Sequence, residues 1–159
     1  HCGDEMIKLN VGNLVDVTDG ILVHGVNAQG KMNSGVAKDI RARFPKAYLE
    51  YMDAYKANGL ALGDVIYYRS NDNLVIANAI TQKYYGFDGK KYVDYKAVEK
   101  CFTKINKYAL DNGYSKVSFP MIGCGLGGGA WGDVSQIIDS ILDASLEKNL
   151  WVLEVDDLE

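Results

Sequence analysis

The sequence predicts an α/β domain with helices on both faces of a mixed sheet. Three observations carry this reading. Short β-branched runs alternate with longer amphipathic stretches along the whole chain. Turn residues fall between the two kinds of segment, as at Asp19-Gly20, Asn58-Gly59 and Asn112-Gly113. Two polar, glycine-containing loops, 27–35 and 123–129, each follow an apolar strand-like run and precede a helical pattern.

The elements follow in order. Residues 6–11 alternate apolar and polar and read as a strand. Residues 21–26 form a compact apolar run suited to a central strand, with His24 at its end. Ser34 is placed to cap a helix over 36–44. Pro45 interrupts that helix and can start another, with Tyr48, Leu49, Met52 and Tyr55 on one face and Asn58-Gly59 as its stop. Residues 64–69 and 73–79 read as two strands joined by a turn at 70–72, hence a hairpin. A polar and aromatic loop, 81–93, leads to a long amphipathic helix over 94–112. A strand from Lys116, the glycine loop, a helix over about 134–146 and a last strand over 150–155 complete the chain.

The 159 residues are read as one domain, 6–159, with room for a substantial core. His1 to Glu5 are read as an added or disordered N-terminus, with Met6 as the natural start. Apolar residues make up 48% and charged residues 24%, an ordinary balance for a soluble domain. No apolar run reaches membrane-spanning length, and no secretory signal opens the chain. A net charge of −4 with dispersed Lys and Arg argues against broad electrostatic capture of nucleic acid. A small anion held by backbone dipoles remains compatible with it. Cys2, Cys101 and Cys124 give neither a disulfide framework nor a zinc pattern. A reducing cytoplasm, no metal and no cofactor are expected, and a monomer, since no exposed apolar stripe stands out.

The chemistry centres on the two loops. Ligands of open α/β sheets settle at the C-terminal ends of strands, where both loops begin. Five glycines between 123 and 129 are more than core packing demands, so they are read as uncovered amides that let a phosphate approach. Neither loop carries the dinucleotide fingerprint or the Walker lysine. Cys124 is read mainly as a small residue that fits the loop. A phosphocysteine role would draw on a thiol pKa lowered by the amide dipoles, but Ala130 stands where the arginine of cysteine phosphatases would be. Trp131 either walls the pocket or anchors the following helix. Tyr84, Tyr85 and Phe87 either cover the ligand or pack under their loop. His24 is either a proton carrier or a packed, hydrogen-bonded histidine.

Two stretches, 24–37 (His-Gly-Val-Asn-Ala-Gln-Gly-Lys-Met-Asn-Ser-Gly-Val-Ala) and 120–128 (Pro-Met-Ile-Gly-Cys-Gly-Leu-Gly-Gly), resemble the macrodomain family. So does Val11-Gly12-Asn13-Leu14, and all three motifs stand in matching order from about Met6 to about Val155. The branch that looks nearest is that of the ADP-ribose 1″-phosphate phosphatases, with the terminal ADP-ribose protein hydrolases related. The resemblance implies a three-layer α/β/α sandwich around a six-stranded mixed sheet, with ADP-ribose or its 1″-phosphate in a cleft. It implies Asn13 beside the adenine, accepting from the amine where the family often has Asp. Asn27 would face the distal ribose, and Gly35 and Val36 would border the diphosphate. Ile122, Gly123, Cys124, Gly125, Leu126 and Gly127 would wrap it, with Trp131 near the distal phosphate. The glycine loop and the helix after it would hold the anion. His24 and Asn27 would be the catalytic pair. The protein-hydrolase branch uses a lysine after the strand like 75–79. Gln82 falls at that place with Lys83 one position late, and Gly127 falls at the place of the branch's loop aspartate, which puts deribosylation behind phosphomonoester hydrolysis. The alternatives are removal of ADP-ribose from protein or nucleic acid, and non-catalytic binding of ADP-ribose.

Overall fold

The computed structural model describes residues 7–86, 88, 90–125 and 127–158. The readings placed on Met6, Phe87, Leu126 and residues 1–5 lie outside that set. The strands are β1 (Ile7–Val11), β2 (Gly20–Asn27), β3 (Val65–Arg69), β4 (Leu74–Gln82), β5 (Lys116–Phe119) and β6 (Glu147–Val152). They form one six-stranded sheet in the order β1-β6-β5-β2-β4-β3. Every neighbouring pair is parallel except β3–β4, the predicted hairpin. The helices are α1 (Gly35–Arg43), α2 (Pro45–Asn58), α3 (Tyr95–Asn112) and α4 (Trp131–Ile141).

The sheet is covered on both faces, which is why β2 and β4 are apolar nearly throughout. Ile21 and Val23 of β2 pack with Phe102 and Ile105 of α3 and Ile138 of α4. Leu22 meets Ile40 of α1 and Ala47 of α2 on the other face, and Val26 meets Tyr51 of α2. Each buried Leu, Ile or Phe of this kind contributes about 1.5–3 kcal/mol relative to leaving it exposed.

Local chemistry sets most boundaries. Pro45 opens α2 at a position where its missing N–H costs nothing. Asp94 caps α3 by accepting from the Ala97 amide at 2.9 Å, and Gly113 ends it in the left-handed conformation. Other expectations are corrected. The buried face of α2 is Ala47 and Tyr51, while Leu49 and Tyr55 are exposed. Ala109 rather than Leu110 closes the apolar face of α3. β4 runs on to Gln82, and β2 runs three residues past His24. α4 starts at Trp131 and ends at Ile141, and β6 begins at Glu147 rather than 150. Two 3-10 helices, Leu14–Asp16 and Val155–Leu158, were not foreseen.

The topology opens a crevice at one place. β2 leads to α1 and α2 on one face, β5 leads to α4 on the other, and the two strands are neighbours. This is a topological switch point. β2 and β5 pair only at Ile21 with Val117 and Leu22 with Ser118. Pro120, which cannot donate, follows the end of β5. β2 continues to Asn27 beside β4 alone, so its last residues part from β5 and leave a gap.

Candidate functional site

A cleft of about 440 Å³ fills that gap. It begins at Gly12, Asn13 and Trp151, crosses the loops after β5 and β2, and ends at Gln82 and Tyr85. It thus spans the ends of five strands, about 19 Å at the usual inter-strand spacing. His24, Asn13, Asn27, Gly35, Val36, Ile122, Gly123, Cys124, Gly125 and Gly127 all line it. Trp131 and Lys83 do not.

The two loops meet across the cleft as the sequence suggested, but with a different division of labour. The amides of Gly123, Gly125 and Gly127 reach no acceptor among the described residues. The start of α1 faces them. Ser34 stands at its N-cap without a side-chain cap, and the first amide to find a helical acceptor is that of Lys38, so the amides of Gly35, Val36 and Ala37 stay open. The helix whose positive end opens on the cleft is therefore α1, not α4. Lys31 is the one cationic side chain lining the cleft among the described residues, with Asp39 and Asp157 opposed in sign. An anion here would meet chiefly open amide dipoles, together with Lys31.

The glycines are corrected too. Gly123 holds φ +74°, and a Cβ on it would lie 2.4 Å from Val93. Cβ atoms at Gly127, Gly128 and Gly129 would crowd the Gly123 carbonyl, the Lys90 carbonyl and Val93. Packing against the segment after β4 thus demands most of the run. Gly125 differs: a Cβ there meets nothing within 4 Å.

His24 is buried on the α1/α2 face between Leu22 and Val26. Its Nε2 lies 2.6 Å from Asn78 Oδ1. Asn78 Nδ2 donates to the carbonyls of Ala47 and Ile66, so the network assigns Oδ1 as the acceptor and Nε2 as the protonated nitrogen. His24 Nδ1 is buried with no partner among the described residues. Burial pulls the imidazole pKa down to about 4, against the opposing pull of the Asn78 hydrogen bond. At neutral pH this ring is uncharged and holds its one proton toward Asn78. His24 is thus packed and hydrogen-bonded, and it also lines the cleft, with Nδ1 as its unprotonated nitrogen.

Asn27 also has its groups engaged. Its Oδ1 accepts from the amides of Gln29 and Lys31 and from the Tyr51 hydroxyl, and its Nδ2 donates to the Lys31 carbonyl. Asn27 therefore shapes the loop after β2, and one N–H of its Nδ2 is left without an acceptor among the described residues at the cleft wall. Asn13 Oδ1 accepts from the Val15 amide at 3.2 Å and caps the first 3-10 helix. Cys124 Sγ donates to the Ile122 carbonyl, and burial, with Asp133 nearby, pushes the thiol up to about 11. The lowered thiol pKa that a phosphocysteine would need is absent.

Trp131 starts α4 and packs on Phe119, with ring centroids 6.2 Å apart, so it anchors the helix. Lys83 Nζ lies 5.4 Å from the Tyr84 ring centroid. Trp151, Leu153 and Asp157 line the cleft and were not foreseen. The alternation of a strand would have flagged Trp151, since Leu150 and Val152 face the α3/α4 core and Trp151 must face away from it. Among the described residues no cluster of His, Cys, Asp or Glu could hold a metal ion, and no helix is long and apolar enough to cross a membrane.

A family model described as Macro domain matches residues 23–138. The chain is 27% identical over 153 residues to a DNA ADP-ribosyl glycohydrolase of Thermus aquaticus, covering 94% of this chain and 41% of that protein. It therefore spans under half the length of that relative. It is also 27% identical over 148 residues to an ADP-ribose 1″-phosphate phosphatase of Candida albicans, covering 84% of this chain and 87% of the relative. The solved macrodomain of Thermus aquaticus DarG superposes with a TM-score of 0.78 at 26% identity, over 94% of this chain and 98% of that one.

Proposed function

The chain belongs to the Macro domain family, and from that membership we propose that it binds ADP-ribose and hydrolyses ADP-ribose 1″-phosphate to ADP-ribose and phosphate. The observation that carries this reading is the pair of opposed amide sets, at the start of α1 and at Gly123, Gly125 and Gly127, across a cleft long enough for the whole nucleotide. The diphosphate lies between them, where the α1 dipole and the open N–H groups replace its water. The adenine takes the Trp151 and Leu153 end, and the terminal ribose the Gln82 and Tyr85 end.

Water attacks the terminal phosphorus, the bond from phosphorus to the sugar oxygen breaks, and that oxygen takes a proton. Phosphoryl transfer passes through a loose transition state, so holding and electrostatic stabilisation do most of the catalysis. Asn27 shapes the loop that holds the sugar, and His24 with Asn78 braces β2 against β4 and α2. With no strong nucleophile among the described residues that line the cleft, turnover is slow. The same absence favours a second reading, a binding module that turns nothing over. Removal of ADP-ribose from a macromolecule through a lysine is supported less, because Gln82 lines the cleft and Lys83 does not.

The test is calorimetric titration with ADP-ribose together with phosphate release from ADP-ribose 1″-phosphate. Binding with slow phosphate release is expected. Binding with no product from the 1″-phosphate or from any ADP-ribosylated macromolecule supports the module, and absence of binding ends every one of these readings.

A further inference from the structure

The far end of the cleft is laced by contacts between the segments after β2 and after β4. An irregularity in the strand pairing at Val26/Asn27 sets Asn27 beside Gln82. The Ala28 amide donates to the carbonyls of Gln82 and Lys83, and Gln29 Oε1 accepts from the Tyr85 amide at 3.0 Å. Gln82 pairs onward with Val93, so three stretches of chain are fixed around its side chain. That side chain is oriented: Nε2 donates to the Tyr84 carbonyl at 2.7 Å. The carboxamide oxygen is left over. It meets no donor among the described residues, and Gln82 lines the cleft.

A fixed acceptor at this end suits a ligand that brings a hydroxyl. We infer that Gln82 is a specificity-determining residue, whose Oε1 accepts from a hydroxyl of the terminal ribose, and that Gln29 is the positioning residue that holds the segment carrying it. This rests on the ADP-ribose reading and goes beyond it by assigning the recognition of the terminal sugar to a named atom. ADP carries the same adenosine and diphosphate without that sugar, so it serves as an internal control for the rest of the cleft.

Calorimetry with ADP-ribose and with ADP, on the wild type and on Gln82→Leu, tests the assignment. Loss of one hydrogen bond is expected to weaken ADP-ribose by about three- to ten-fold and to leave ADP unchanged. Equal weakening of both, or of neither, overturns it. Gln29→Ala is expected to lower the preference for ADP-ribose over ADP while ADP still binds. A wild type that binds neither nucleotide refutes the ADP-ribose reading itself, an outcome distinct from both variants behaving as wild type.

Discussion

Gly125 and Gly123 separate what the loop after β5 does for folding from what it does for a ligand. Gly125→Ala adds a methyl where nothing stands within 4 Å, so stability is expected to hold within about 0.5 kcal/mol. The methyl would enter the open space of the cleft beside the proposed diphosphate, so ADP-ribose affinity is expected to fall. Gly123→Ala meets a positive φ and the Val93 side chain at once, and is expected to cost about 2–4 kcal/mol of stability. Denaturant unfolding with calorimetry on both variants distinguishes the two roles; a Gly125→Ala protein that binds as tightly as wild type removes that position from the site. His24 carries a prediction of a different kind. Its pKa falls on folding from 6.5 to about 4, so on acidification the unfolded chain protonates first. The contribution of the neutral ring is whole above about pH 6.5 and is lost progressively as pH drops toward 4, amounting to about 3 kcal/mol at the low end. His24→Gln is expected to flatten that part of the stability curve, read by urea unfolding at about pH 7.5 and about pH 5. An unchanged slope would show that the ring titrates normally in the folded state. The hydrogen-bonded setting of His24 was not legible in the sequence, because its partner, Asn78, stands 54 residues away and only strand pairing brings it alongside. Cys124 was open in the same way, since its surroundings come from Asp133 and the turn of its own loop.

At the scale of elements, the start of α1 is both a helix N-terminus and half of the proposed anion site, and the two uses oppose each other. Ser34 occupies the N-cap without making the capping bond, which leaves the first amides open to the cleft. Ser34→Asp supplies a carboxylate to those amides and to the helix dipole, and is expected to raise stability by about 0.3–1 kcal/mol. The same carboxylate competes with the diphosphate, so ADP-ribose affinity is expected to drop. A thermal shift upward without ligand and weaker binding by calorimetry would support this; tighter binding would place the phosphates elsewhere. Elements of this chain were legible where local chemistry fixes them. Pro45 at the start of α2, Asp94 and Gly113 at the two ends of α3, and the turn before Leu74 all act through their immediate neighbours. The passage from α4 to β6 was not legible, and the reason is Lys148. It looks like a surface residue, yet it is buried and donates to Asp139 Oδ1 at 3.0 Å, so β6 begins inside a polar stretch. The Val155–Leu158 turn that follows was hidden because the strand signal over 150–155 runs into its first residue.

Over the whole molecule, the order of strand ends fixes which part of an extended nucleotide can lie where. The chain has two tryptophans, and the fold puts them in different surroundings. Trp151 lines the cleft at the β1 and β6 end, while Trp131 packs on Phe119 at the start of α4, outside the cleft. If the adenine fills the Trp151 end, the ligand reports itself through that indole alone. Titration with ADP-ribose is expected to change the intrinsic fluorescence. The change is expected to survive in Trp131→Phe and to vanish in Trp151→Phe, which should also lose about 0.5–1.5 kcal/mol of binding through the weaker aromatic contact. AMP, carrying the base and one phosphate, is expected to produce the same fluorescence change at higher concentration, because it reaches only part of the distance from Trp151 to Gln82. Ribose 5-phosphate is expected to leave Trp151 silent. A signal that ribose 5-phosphate elicits through Trp151 would reverse the nucleotide in the cleft and move the reacting sugar away from Gln82 and Tyr85. The direction of the ligand is thus a property of the complete sheet order, set by β1 and β6 joining the end opposite β4, and no single motif in the chain encodes it.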